Sequence, residues 1–198
     1  MKKVINCYKE FNPVIQRKLK EVTVEEGLEI ATELFNILNE RKDGIGLAAN
    51  QVGIDASVAV LNVREPIILI NPVVTEQWDE IDYYEGCLSY PNKGIRTKRY
   101  KNIIIQTAQE ESGWYFSGVE TGKDDEGERL LEAVCVQHEI DHLNGMTIHD
   151  RKIDTTIRAE KKIGRNQKVL IACGTDSRVV KYKKAIPLLE NGWTLVES

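Results

Sequence analysis

An α+β fold is what the sequence predicts, and three observations predict it. Two stretches of helical periodicity, at about residues 24–40 and 128–143, frame a set of short β-type runs. Helices and runs follow one another without the regular alternation of a doubly wound sheet. No segment repeats.

The first helix rests on Leu28, Ile30, Ala31, Leu34, Phe35, Ile37 and Leu38, which recur on one face behind a Thr23 cap with Glu26 three residues on. The glycine-rich segment 44–53 stops it. The runs VAVLNV and PIILINPVV then read as strands separated by the charged Arg64-Glu65, and Ile103–Thr107 offers another. Residues 109–128 are polar and glycine-rich, as expected of an exposed hairpin or excursion. The second helix, from about Glu128, ends at Asn144-Gly145. After a stretch rich in Lys and Arg (158–168), the tail reads as two short strands around a turn, a helical turn and a final strand. That divides the chain into residues 1–164, a catalytic domain, and residues 165–198, a small C-terminal appendage of unassigned role.

Composition excludes several classes. No stretch approaches the roughly 20 apolar residues that span a bilayer, so no membrane partner is expected. The basic start MKKVINCYKEFNPV has no apolar core behind it, which disfavours export and predicts a cytoplasmic protein. A net charge of −4 with interspersed signs gives no footprint for free nucleic acid. Four scattered cysteines suit reduced thiols, one of them available to a metal.

The chemistry concentrates in Gln137-His138-Glu139-Ile140-Asp141-His142. On a helix, His138 and His142 stand one turn apart on one face, where two imidazoles grip one ion and Glu139 lies beside it. A bound divalent ion acidifies water, and a neighbouring carboxylate can take the proton and return it to a leaving amine. Open sites usually have a third protein ligand, and the residues leave three candidates. Cys135 shares the face of His138 but reads as core. His149 gives a pattern one residue longer than the metzincin one. Cys87, in Tyr84-Glu85-Gly86-Cys87-Leu88-Ser89-Tyr90-Pro91, has glycine freedom on one side and a proline break beyond it. Asp141 either orients a ligand imidazole or caps nearby backbone.

Gly44, Gly46 and Ala49 fit a dinucleotide-binding fingerprint, but that fingerprint follows a strand and opens a helix, the reverse of the order here. The segment is better suited to close approach of a peptide, with the Gln51 amide as donor to a developing oxyanion.

In this order and spacing, GIGLAANQVG, EGCLS and QHEIDH resemble the three signature motifs of the peptide deformylase family, and Asn12-Pro13-Val14 resembles its N-terminal motif. The resemblance covers about residues 5–155 and implies antiparallel β-sheets packed around a central metal-binding helix. It implies Cys87, His138 and His142 as metal ligands, Glu139 as general acid/base, and Gln51 with the Leu88 backbone N–H as oxyanion donors. Ile45 and Gly86 would pair their main chains with the substrate; Tyr83, Leu131 and Val134 would line a methionine pocket; and Arg99 would meet the peptide beyond methionine. The implied cofactor is one divalent ion, ferrous iron in most such enzymes, with zinc, nickel or cobalt able to replace it. The implied substrates are N-formylmethionyl nascent peptides, which places the ribosome among the partners. Three features depart from the family pattern: Asn50 where many members have proline, Tyr90 where a smaller aliphatic is common, and the long polar excursion before the second helix. A metal endopeptidase using His149, and a structural metal module with no open position, are the competing readings.

Overall fold

Thr23 starts the first helix, α1 (Val24–Asn39), through a capping box in which its hydroxyl accepts from Glu26 N–H and the Glu26 carboxylate accepts from Thr23 N–H. Ala31, Leu34, Ile37 and Leu38 form its buried stripe. The computed structural model describes residues 2–41, 44–118, 126–153, 166, 168–173, 176–189 and 193–195, and falls into two compact units, Met1–Ile153 and Asp154–Ser198.

In the first unit, β1 (Gly46–Ala48), β2 (Val58–Asn62) and β3 (Pro66–Ile70) form an antiparallel sheet in that order. The side chains of β2 explain its unbroken apolar run. Val58 and Val60 pack with α1, while Ala59 and Leu61 face the opposite way, toward the second helix. The run PIILINPVV is not one strand, because Asn71 takes φ 48° and turns the chain after β3.

A second antiparallel sheet consists of β4 (Val73–Cys87), β5 (Tyr90–Thr107) and β6 (Glu110–Ser117). Two of these strands are far longer than the apolar runs suggest. Residues 75–80 of β4 are exposed on both faces, so Glu76 and Glu80, like Asp82 further on, are solvated strand residues. The expected excursion is in part this β5–β6 hairpin, whose Phe116 is buried; residues 119–125 lie outside the described ones.

The second helix, α2 (Glu126–Leu143), lies between the two sheets. Its Ala133, Cys135, Val136 and Ile140 share one cluster with Ala59, Leu61 and Leu69 of the first sheet and Ile103, Ile105 and Phe116 of the second. From Glu132 to Leu143 every residue is buried, Glu132, Gln137, His138, Glu139, Asp141 and His142 included. Polar side chains on a fully buried helix need partners or a function. The helix closes at Gly145 (φ 74°), with Gly145 N–H donating to the His142 carbonyl and Met146 N–H to that of Asp141, the two bonds of a Schellman end.

The second unit contains β7 (Lys168–Cys173), β8 (Asp176–Lys181), α3 (Tyr182–Leu189) and β9 (Thr194–Leu195), with sheet order β8-β7-β9. Ile171 and Ala185 are fully buried, and Arg178 stacks on Trp193 at 4.2 Å. Most of the Lys- and Arg-rich stretch 158–168 lies outside the described residues.

Candidate metal centre

Three side chains from two elements converge on one point. Cys87 ends β4, and Leu88-Ser89 form the two-residue turn into β5, so the cysteine sits at a hairpin tip and not in an irregular segment broken by Pro91. His138 and His142 come from α2. Their ligand atoms and the Cys87 sulfur all lie within 4.8 Å of one another, and Cys87 Sγ stands 3.3 Å from His142 Nε2. Two donors on one tetrahedral ion, at about 2.3 Å for sulfur and about 2.0 Å for nitrogen, are about 3.5 Å apart, so this set fits a single divalent metal. His149 lies outside the cluster and packs edge-on against Tyr90 at 4.7 Å. Cys135 is buried in the core, where burial first and the Glu139 charge second push its thiol well above the ordinary range.

Behind the ligands lies a chain of buried charges. His138 Nδ1 is 3.0 Å from Glu85 Oε2, which leaves Nε2 for the ion. The other Glu85 oxygen accepts from Thr97 Oγ1 at 2.6 Å and from Arg99 Nε at 2.8 Å and Nη2 at 2.6 Å. Arg99 Nη1 donates to Asp141 at 2.5 Å, and Asp141 accepts in turn from Arg151 at 2.7 Å. Burial alone would raise the Glu85 carboxyl, but the His138 bond, the Arg99 charge and the Thr97 hydroxyl hold it down at about 2. Arg99, 2% exposed, therefore does not reach a substrate: it is spent between two carboxylates and borders a separate cavity of about 370 Å³. The expectation that it meets the peptide is corrected on that ground. Asp141 likewise neither orients a ligand ring through its side chain nor caps backbone with it; both oxygens go to arginines, and among the described residues His142 Nδ1 has no partner.

Glu139 is the opposite case. It is 3% exposed, its Oε2 has no hydrogen-bond partner among the described residues, and burial pushes its carboxyl up to about 7. Space for it exists because residue 46 is glycine: a Cβ there would collide with Glu139 Oε1 and stand 2.8 Å from Cys135 Sγ.

Gln51, 1% exposed, is oriented by Ala48 N–H, which donates to its Oε1 at 2.9 Å. That fixes the amide so that Nε2 points toward Ser89 Oγ at 3.2 Å and Cys87 Sγ at 3.6 Å. A cavity of about 580 Å³ opens over this group. Ile45, Tyr83, Gly86, Leu88, Leu131 and Val134 line it together with Gln51, Cys87, His138 and Glu139, so of the site residues that the family resemblance implies only His142 and Arg99 are not on its wall. Glu85 escaped the sequence reading. The available signal was its position two residues before Cys87, since strand alternation turns both side chains inward around exposed Gly86.

A thiolate and two imidazoles in an open cavity, with one unpartnered carboxylate beside them, define a metal-dependent hydrolase. The family model for polypeptide deformylase matches residues 3–158. The peptide deformylase of Dictyoglomus thermophilum is 36% identical over 154 residues, covering 76% of this chain and 94% of that one. That of Natranaerobius thermophilus is 39% identical over 145 residues, covering 71% and 86%. The crystal structure of peptide deformylase from Thermotoga maritima superposes with a TM-score of 0.61 at 32% identity, over 77% of this chain and 98% of that one. The chain belongs to the polypeptide deformylase family, and its activity is that of the family. Among the described residues no helix is long and apolar enough to cross a membrane.

Proposed function

We propose that this site removes the formyl group from N-formylmethionyl nascent peptides by general acid/base chemistry at Glu139, with Cys87, His138 and His142 holding ferrous iron. Held by these three residues, such an ion would supply Lewis acidity, lowering the pKa of a water towards neutrality and polarising the formyl carbonyl. Glu139 accepts the proton of the attacking water and delivers it to the departing amine nitrogen, and the burial that raises its carboxyl above the ordinary range favours proton exchange in both steps. Gln51 Nε2 and the Leu88 N–H donate to the oxygen as it gains charge. Formate leaves, and the peptide keeps a free N-terminal methionine.

The substrate lies as an added strand. β1 and β4 are each the edge strand of their sheet, and Ile45 and Gly86 stand on the cavity beside those edges. Gly86 faces open space in which a Cβ would meet no protein atom. Tyr83, Leu131 and Val134 receive the methionine side chain. We place the reaction in the cytoplasm, on chains emerging from the ribosome, with residues 1–164 as catalytic domain and residues 165–198 as an appendage.

The observation that carries this reading is the convergence of the Cys87, His138 and His142 donors beside the unpartnered Glu139 carboxylate. Its test is formate release from formyl-Met-Ala-Ser by protein freshly loaded with iron or nickel under reducing conditions. Formate and a free methionyl peptide are expected; metal-loaded protein that yields no formate overturns the reading. Cys87→Ser should weaken metal binding and His149→Ala should not, the reverse of what an endopeptidase built on His149 would give.

A further inference from the structure

The residue that departs from the family pattern inside the glycine-rich segment, Asn50, is fully buried, and the chemistry above does not use it. It lies in a short 3-10 turn, Ala49–Val52, whose next residue is Gln51. Its Nδ2 donates to the His142 carbonyl at 2.7 Å and to the Ile15 carbonyl at 3.3 Å. Two carbonyls around that atom fix the amide orientation, because the flipped side chain would set an oxygen against both. Among the described residues the buried Asn50 Oδ1 atom has no partner, a cost that apolar residues at this position would not incur.

The bond to His142 is not needed to close the helix. The same carbonyl already accepts from Gly145 N–H at 3.1 Å in the Schellman end of α2. What the bond adds is a link between elements. One turn of chain carries two consecutive amides that reach in different directions: Gln51 to the hairpin tip that bears Cys87 and Ser89, Asn50 to the backbone of His142 on α2.

We infer that Asn50 is a positioning residue which, by holding the main chain of His142 against the 3-10 turn, fixes the spacing between the Gln51 amide, the Cys87 sulfur and the His142 imidazole. The inference rests on the assignment of Gln51 as an oxyanion donor and of Cys87 and His142 as ligands. Neighbours that orient ligands typically change metal affinity or activity by about 10- to 100-fold when removed.

The test compares wild type with Asn50→Asp, which keeps the shape and loses both donors, and Asn50→Ala, which removes the amide. Wild-type formate release is measured first, so failure of the functional reading is seen independently. For each variant loaded with nickel, affinity is read by competition with a chromogenic chelator, kcat and KM from formate release, and folding from the thermal midpoint. The expected result is roughly 10-fold weaker metal binding and roughly 10-fold lower kcat, with KM within about twofold, in both variants. Wild-type metal affinity and kcat in a folded variant overturn the inference whatever the thermal midpoint does. So does failure of both variants to fold, which would make Asn50 a residue of folding alone.

Discussion

The strand wall and the helix wall of the cavity each bury a glutamate, and they treat it in opposite ways. Glu85, on β4, meets an imidazole, a guanidinium and a hydroxyl and is held ionised at about 2. Glu139, on α2, has one oxygen without a partner among the described residues and is pushed up by burial to about 7. The residue type is the same and both are nearly inaccessible; what differs is the count of donors. A carboxylate with every lone pair engaged holds a ligand in place, while one left short of partners is ready to exchange a proton.

The largest effect should come from Glu139→Gln, which keeps shape and metal and removes the proton carrier. Formate turnover should fall by about 10³-fold with metal content unchanged by elemental analysis. Near-normal turnover would remove the distinction between the two walls. Next comes Gly46→Ala. The added methyl would meet both the Glu139 carboxylate and the buried Cys135 sulfur, so the thermal midpoint should fall and, in protein that still folds and binds metal, kcat should drop by about 100-fold. On the opposite wall, Glu85→Gln should act through His138, weakening metal affinity by about 10-fold or more in a chelator competition and leaving Arg99 with a buried excess of charge. Wild-type affinity in that variant would show that the strand wall does not orient the ligand.

The smallest effect lies further along the same hairpin. Burial first, and the nearby Cys7 thiol second, push the Tyr90 phenol up to about 12 from its ordinary value of 10.0. The folded state then binds this proton more tightly than the unfolded chain does. The resulting stability is complete below pH about 10 and is lost as pH rises through about 12. Urea midpoints at pH 9, 10 and 11 should decline, and Tyr90→Phe should flatten that decline.

Short-range features were legible in the sequence. The α1 start needed only Thr23 and Glu26; the α2 end needed only Asn144-Gly145; and two histidines four residues apart on a helix share a face whatever the rest of the fold does. Long-range features were not. The length of β4 stayed hidden because residues 75–80 meet water on both faces, so no apolar alternation marks them and they read as loop. Arg99 was misplaced because its partners Glu85 and Asp141 come from two other elements, and nothing local to Arg99 announces a buried arginine. Asn50 drew notice only as a departure from the family pattern, since its acceptor on His142 lies 92 residues away.

One sulfur and two imidazole nitrogens converge at the hairpin tip, and the proposed chemistry requires that they share one ion. X-ray absorption at the metal edge of nickel- or zinc-loaded protein tests this most directly. One sulfur at about 2.3 Å and two imidazole nitrogens at about 2.0 Å are expected, with room for a light-atom ligand from solvent. A first shell without sulfur, or with four protein donors, would contradict it.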